Sequence, residues 1–178
     1  MHRDYDIMGA TCHLVVTADT VTVRSPGAPL LPVTVEQMQA FAAPMYNRNP
    51  MLQFAFGGTK LVEGRGFGMR TLSSAAAKYG LPVPKYAFDG LYLNLTIYRH
   101  VEAALGALKT DVLNSLNEDE KRSWAFLATK ISVTRKEYAE QMGFDSRKAQ
   151  RLFKRFVELR LLRKLGAGSS TKYEVRKP

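Results

Sequence analysis

The pattern of apolar and polar positions predicts strands in the first hundred residues. Val21 and Val23 alternate with polar neighbours, and together with residues 12–16 they predict a short hairpin. From Leu91 to Ile97 every odd position is leucine or isoleucine, and every even position is tyrosine, asparagine or threonine. This alternation predicts a strand with one face in a core, and the Asp89-Gly90 dipeptide before it predicts a turn.

Two helices are predicted between these strands. The first begins after Thr34, a usual N-cap residue, and has an acidic side chain in its first turn. The second has helical spacing from Met69 to Tyr79 and ends at Gly80, a common C-cap residue. A glycine-rich loop that contains Gly64, Gly66 and Gly68 leads into this second helix.

The pattern changes to a helical period after Arg99, and no Gly/Pro/Ser-rich linker marks the change. The sequence therefore predicts an α+β protein with three parts. These are an α+β domain over residues 1–100, a connecting helix over residues 101–116 and a second domain over residues 117–178.

The second domain contains two helix starts with capping-box spacing, Asn117 with Glu120 and Thr134 with Glu137. The helix after Thr134 is predicted to be short because Gly143 follows soon after it. A tight turn then leads into a third helix, which gives a helix, a turn and a helix.

The third helix is predicted to be amphipathic. Ala149, Leu152, Phe153 and Phe156 recur at the i, i+3, i+4 and i+7 positions and predict a buried stripe, which leaves the basic side chains elsewhere on the cylinder. Residues 161–177 then combine an apolar pair, a Gly/Ser-rich tip and an alternating segment, which predicts a two-stranded hairpin.

In this order of elements, residues 117–178 resemble the winged helix-turn-helix domain of many bacterial transcription regulators. The resemblance implies that the third helix enters the major groove of duplex DNA and that the hairpin is a wing. The candidate DNA contacts are Ser146, Arg147, Lys148, Gln150, Arg151 and Lys154 on the third helix, and Lys164, Ser169, Ser170 and Lys172 on the hairpin. The alternatives are a basic face that is only solvated and a winged helix that docks onto another protein.

The charge of the chain favours a polyanionic partner. The formal net charge is +10, and residues 134–178 carry 13 Lys and Arg against 5 Asp and Glu. Because the basic excess is concentrated in the second domain, we expect double-stranded DNA to bind there.

No apolar run approaches the roughly 20 residues that a membrane-spanning helix needs, and no signal-peptide core is present. We therefore expect a cytoplasmic protein without a membrane partner. Cys12 has no second cysteine and no histidine at ligand spacing, so we expect it to be a small buried hydrophobe and expect no metal site.

A series of short motifs covers residues 2–99. They are HRDY at 2–5, TVRSPG at 22–27, YNRNPML at 46–52, LVEGRGFGMRTL at 61–72, YGLPVP at 79–84 and the alternating strand that ends at residue 99. Together they resemble the carboxy-terminal region of RecG-like ATP-dependent DNA helicases, a region that accompanies Schlafen-AlbA-type domains in transcription regulators.

The resemblance implies a fold related to the gyrase, histidine kinase and MutL (GHKL) ATPases, here as a truncated α/β sandwich. In those ATPases a helix before HRDY supplies the Glu that activates water and the Asn that holds magnesium. The chain starts after that helix. In addition, SPG at residues 25–27 stands where such an ATPase would have an adenine-binding loop that contains an Asp. We therefore expect that this chain binds no cofactor. Binding of ATP with magnesium is expected only if the missing helix is supplied.

The residues that would remain from a nucleotide site are His2, Asp4, Gly64, Gly66 and Gly68. Backbone N–H groups in front of a helix could cradle a phosphate. We interpret the glycines instead as a tight turn that needs positive φ or close packing.

The sequence thus predicts a DNA-binding transcription regulator that acts through its winged helix and is not an enzyme. The alternatives are an ATP-binding or ATPase fragment of a RecG-like helicase-related protein, and a winged helix used for protein docking. A homodimer is also expected, because an α/β layer that lacks one helix exposes the apolar face that the helix would cover.

Overall fold

Two antiparallel sheets organise the protein, and each belongs to a separate compact unit. The computed structural model describes residues 2–59, 68–167 and 171–176. The amino-terminal unit consists of Met1–Tyr79 and Pro84–Arg99, and the carboxy-terminal unit consists of Gly80–Val83 and His100–Pro178.

The sheet of the amino-terminal unit has four strands. They are β1 (His13–Val16), β2 (Thr20–Pro26), β3 (Lys85–Phe88) and β4 (Tyr92–Tyr98), in the order β1-β2-β4-β3. The predicted hairpin is confirmed, because β1 pairs with β2, and the predicted turn at Asp89-Gly90 lies between the paired strands β3 and β4. The Asp89 carboxylate accepts the backbone N–H groups of Tyr92 and Leu91 at the second turn, and these bonds are the main reason that the pKa of Asp89 is lowered to about 2.

Among the described residues of this unit, three helices accompany the sheet, namely α1 (Val35–Gln39), α2 (Pro50–Gly57) and α3 (Gly68–Lys78). Thr34 caps α1 in a capping box, as its sequence position predicts, and α3 ends just before Gly80 at φ +62°. Helix α2 is not among the predicted helices, although Pro50 occupies the favoured first helical position.

Helix α1 packs at the β3 edge of the sheet. The side-chain amide of Gln39 donates to the Pro84 carbonyl at 3.1 Å and accepts from the Tyr86 N–H at 2.8 Å. Phe41 meets the Tyr86 ring edge to face, with 6.0 Å between ring centroids. The β3 edge is therefore the covered side of this unit.

The opposite edge, at β1, carries exposed apolar side chains. Direct cross-strand partners share a face of a sheet, so Leu14 lies beside Val23, and Val16 lies beside Val21. Leu14 and Val16 are 68% and 61% exposed. Cys12, which precedes this strand, is also exposed, so the expectation of a buried Cys12 is wrong.

The burial of β4 also differs from its predicted pattern. The residues on its predicted core face are only half-buried, and the buried residue of the strand is Tyr98, on the other face. The expectation that one face of β4 forms the core is therefore wrong. The reason is that α1 covers the β3 edge, whereas the apolar face continues uncovered toward β1.

The carboxy-terminal unit contains five helices and three strands in its described residues. The helices are α4 (Ala103–Gly106), α5 (Thr110–Ser115), α6 (Glu118–Ala128), α7 (Arg135–Met142) and α8 (Ser146–Glu158). The strands are β5 (Ser132–Val133), β6 (Leu162–Leu165) and β7 (Lys172–Val175), in the order β5-β7-β6.

Local sequence signals set most of these helix ends. The side chains of Asn117 and Thr134 cap α6 and α7 in capping boxes, and Gly143 ends α7 in the left-handed conformation at φ 66°. The single connecting helix expected over residues 101–116 is instead two short helices, α4 and α5, because the backbone is extended at Lys109 before α5 begins.

The core of this unit is aromatic. Trp124, Tyr138, Phe153 and Phe156 are at most 1% exposed. The Phe153 ring lies 4.9 Å from the Tyr138 ring and 4.7 Å from the Tyr173 ring, measured between centroids. The predicted buried stripe of α8 is confirmed, and it joins α7 and the β6-β7 hairpin in one core.

Across the described ranges, the helices are too short or too polar for any of them to pass through a lipid bilayer.

Candidate functional site

The HRDY segment lies against the end of β2 and the loop before α2. The Asp4 N–H donates to the Pro26 carbonyl at 2.8 Å, and the Asp4 carboxylate accepts from the Arg48 guanidinium at 2.7 Å. The same guanidinium donates to the Ala28 carbonyl at 2.6 Å. Arg48 therefore links the YNRNP motif to HRDY and to the residue after SPG, and the backbone bond of Asp4 links HRDY to SPG itself.

Two further hydrogen bonds hold this cluster. The Asn49 side-chain amide donates to the Arg3 carbonyl at 2.8 Å, and the Arg3 guanidinium donates to the Ala10 carbonyl at 2.7 Å. Arg48 and Asn49 belong to a motif that the sequence analysis noted, but their partners lie 44 and 46 residues away in sequence. No local signal in the sequence predicts contacts over such distances.

The cluster has the geometry of a structural clamp. The Asp4 and Arg48 side chains are 19% and 21% exposed, so the carboxylate is already neutralised in a partly buried ion pair. His2 is exposed; even so, partial desolvation lowers the pKa of its imidazole, and positive charges that include Arg48 lower it further. No group of three His, Cys, Asp or Glu in the described part of the chain could hold a metal ion.

The predicted phosphate loop is only partly described. Gly64 and Gly66 lie outside the described residues. Gly68 begins α3, has no positive φ, and would have no atom within 4 Å of an added Cβ. The interpretation of these glycines as a turn that needs positive φ or close packing is therefore wrong for Gly68.

The second candidate surface is helix α8. Asp145 caps it by accepting the Lys148 N–H, and Ser146 occupies its exposed first position. Arg147, Arg151 and Lys154 are exposed and lie opposite the buried stripe, and we call these three the outward row. Gln150 is also exposed, beside that row.

Lys148 and Arg155 lie on the flank of α8, one heptad apart, and we call them the flank row. The Lys148 ammonium contacts the Asp119 carboxylate at 2.7 Å, and Arg155 Nε lies 3.8 Å from Glu120. Arg155 also donates to the Ser115 hydroxyl at 3.4 Å. The hydrogen bond and charge of Lys148 are the main reasons that the pKa of Asp119 is lowered.

Lys148 is also fixed by an aromatic contact that leads back to α6. Its ammonium lies 4.0 Å from the centroid of the Phe144 ring, which in turn lies 6.0 Å from the Tyr138 ring. The Tyr138 hydroxyl donates to Ser123 at 2.7 Å, and Ser123 donates to the Asp119 carbonyl at 2.6 Å. This closed circuit of contacts joins α6, α7 and α8.

The structure describes two of the four candidate DNA contacts on the hairpin. Lys164 on β6 and Lys172 on β7 are exposed. Lys164 is paired with Tyr173 and Lys172 with Leu165, so the two lysines lie on opposite faces of the hairpin. Ser169 and Ser170 lie outside the described residues.

Comparisons with known proteins give a family and a fold. A family model described as "Putative ATP-dependent DNA helicase recG C-terminal" matches residues 9–97. The crystal structure of the DIP2311 protein from Corynebacterium diphtheriae is similar, with a TM-score of 0.51, 13% sequence identity, and coverage of 99% of this chain and 48% of that one. The chain thus spans about half the length of that protein, and at this identity only the fold is shared. No curated protein matches the chain.

Proposed function

This chain belongs, through residues 9–97, to the family described as "Putative ATP-dependent DNA helicase recG C-terminal", and we propose that it is a DNA-binding protein that regulates transcription through a carboxy-terminal winged helix-turn-helix. The order of elements supports this proposal. Helices α6, α7 and α8 are followed by the β6-β7 hairpin, and β5 joins the same sheet. In such a domain α8 is the recognition helix and the hairpin is the wing.

The outward row of α8 is the observation that carries the proposal. Its three cations stand on the side of the helix away from the core, and each of them is exposed. Cations in this position can neutralise phosphates and release counterions, while Gln150 has the amide geometry that can pair with an adenine edge. The amino-terminal unit contains the residues that match the family, and it would serve as a platform for the DNA-binding unit.

Duplex affinity should depend on salt through the outward row and the wing. We expect Lys154→Ala and Lys172→Ala each to weaken binding to all duplex sequences and to reduce the slope of log K against log salt by about 0.9. Fluorescence anisotropy of the full chain with a labelled duplex, over a salt series, measures both quantities.

Lys78→Ala is the matched control, because it removes the same charge from the exposed end of α3 in the other unit. It should leave the slope unchanged. If the wild-type chain has no measurable duplex affinity at low salt, DNA binding is excluded and protein docking becomes the better explanation.

We also propose that the chain forms a homodimer through β1. The Thr17 N–H donates to the Thr20 carbonyl at 2.9 Å, and in an antiparallel pair every second residue forms such bonds to the neighbouring strand. The backbone N–H and C=O groups of Leu14 and Val16 therefore point away from β2, at the free edge of the sheet. A two-fold axis through Val15 would pair Leu14 with Val16 of a second copy. Residues 11–17 carry no Asp, Glu, Lys or Arg, so two basic chains could approach there without like-charge contact.

A charged residue on this edge should prevent the pairing. We expect sedimentation equilibrium to give a dimer for the wild-type chain at micromolar concentration and a monomer for Leu14→Lys. Met51→Lys is the control, because Met51 is 76% exposed on α2 and the substitution adds the same charge. A wild-type monomer, or a Leu14→Lys chain that remains dimeric, would contradict the β1 interface.

A further inference from the structure

The basic residues of α8 fall into two groups with different electrostatic surroundings. The outward row has no acidic partner within 4.0 Å in the described residues, whereas both members of the flank row do. At longer range the charge of Arg151 also lowers the pKa of Asp119, but less than Lys148 does. The difference arises from α6, whose first turn contains Glu118, Asp119 and Glu120. These carboxylates lie at the positive end of the α6 dipole, which stabilises their charge.

We propose that Asp119 and Glu120 hold the flank row as internal counter-ions, so that DNA phosphates contact only the outward row of α8. This inference rests on the proposed DNA-binding function and deepens it. It assigns Lys148 and Arg155 as positioning residues and gives the acidic turn of α6 a role in orienting the duplex. This role differs from the direct DNA contact that the sequence predicts for Lys148.

The geometry of Lys148 supports a positioning role. Its side chain is 28% exposed, and its ammonium is held both by Asp119 at 2.7 Å and by the Phe144 ring at 4.0 Å. Contact with a phosphate would require the ammonium to leave both partners. The circuit through Tyr138 and Ser123 returns to Asp119, so this ion pair also fixes the first turn of α8 relative to α6 and α7.

The geometry of Arg155 and Glu120 leads to the same conclusion at the other end of the flank row. The Glu120 side chain is only 12% exposed, and its second oxygen accepts the Asn117 N–H at 2.9 Å as part of the capping box. The capping-box bond therefore holds the carboxylate beside Arg155. A phosphate that approached Arg155 would meet this fixed negative charge, and like-charge contact disfavours that orientation of the duplex.

The test compares three variants of the full chain by anisotropy over a salt series. Lys154→Ala should reduce the salt slope by about 0.9, whereas Lys148→Ala should leave the slope nearly unchanged. Asp119→Asn removes a negative charge and releases Lys148, so it should strengthen low-salt binding several-fold and increase the slope. Far-UV circular dichroism verifies that each variant is folded.

A second readout does not require DNA. The carboxyl ¹³C shift of Asp119 should give a pKa below the usual value for aspartate in the wild-type chain, and this pKa should rise in Lys148→Ala, because Lys148 is the largest cause of the lowering. If Lys148→Ala and Lys154→Ala reduce the slope equally while the wild-type chain binds, or if the Asp119 titration does not move, the inference is overturned and the proposed function stands. If the wild-type chain does not bind duplex DNA, both are overturned.

Discussion

Replacing Phe153 with alanine should lower the free energy of unfolding of the carboxy-terminal unit by about 3–5 kcal/mol. Phe153 is 1% exposed and contacts the rings of Tyr138 and Tyr173 at 4.9 and 4.7 Å between centroids. Its removal would leave a cavity where α7, α8 and the β6-β7 hairpin meet. Since a domain of this size has a total stability of only about 5–15 kcal/mol, much of it would be lost.

Urea unfolding measured by tryptophan fluorescence is suited to this prediction. The chain has one tryptophan, Trp124, and it is 1% exposed in the same core. Val157→Ala is the matched control, because Val157 lies on the same helix but is 38% exposed and should change stability by less than about 0.5 kcal/mol. Equal decreases in the free energy of unfolding for Phe153→Ala and Val157→Ala would mean that the buried stripe of α8 is not the centre of the core.

Sequence reasoning succeeded where the signal was local. The capping boxes at Asn117 and Thr134, the left-handed Gly143 and the buried stripe of α8 all depend on residues within two turns of one another. The β1-β2 hairpin and the turn between β3 and β4 are predicted for the same reason, because short turns join strands adjacent in sequence. The family was identified from the order of the motifs, and the family match confirms it.

Sequence reasoning failed where the outcome depends on distant segments. Cys12 and Leu14 have apolar character, but they are exposed because β1 is an edge strand, and the order of strands is not encoded in any one strand. Lys148 was predicted to contact DNA because its own helix is basic. Its ion-pair partner, Asp119, is 29 residues away in sequence, so the pairing follows from the tertiary structure and not from the helix itself.

The HRDY cluster is a further example of a long-range arrangement. A His-Arg-Asp triplet can suggest catalysis, yet the carboxylate of Asp4 is held by Arg48 and its backbone N–H by Pro26. These bonds secure residues 2–5 to the end of β2. The same arrangement makes Gly27, which follows β2, sensitive to substitution.

Replacing Gly27 with alanine should destabilise the amino-terminal unit by about 3 kcal/mol or more. Gly27 has φ +107°, which L side chains rarely adopt, and an added Cβ would lie 2.6 Å from Asp4 Cβ. Asp4 cannot move aside without losing its bonds to Pro26 and Arg48. Hydrogen–deuterium exchange of peptides from β1 and β2 would report the loss, while Trp124 fluorescence in the other unit should not change.

Gly90→Ala separates the two causes of this destabilisation. Gly90 has a similar φ of +95°, but no atom lies within 4 Å of its added Cβ, so the variant carries the backbone strain without the contact. We expect it to cost about 1–2 kcal/mol, clearly less than Gly27→Ala. The additional destabilisation in Gly27→Ala, relative to Gly90→Ala, measures how firmly the HRDY segment is held against β2. Equal costs at the two glycines would show that Asp4 yields to the new methyl group, and the HRDY segment would then be a loosely attached terminus instead of a clamp.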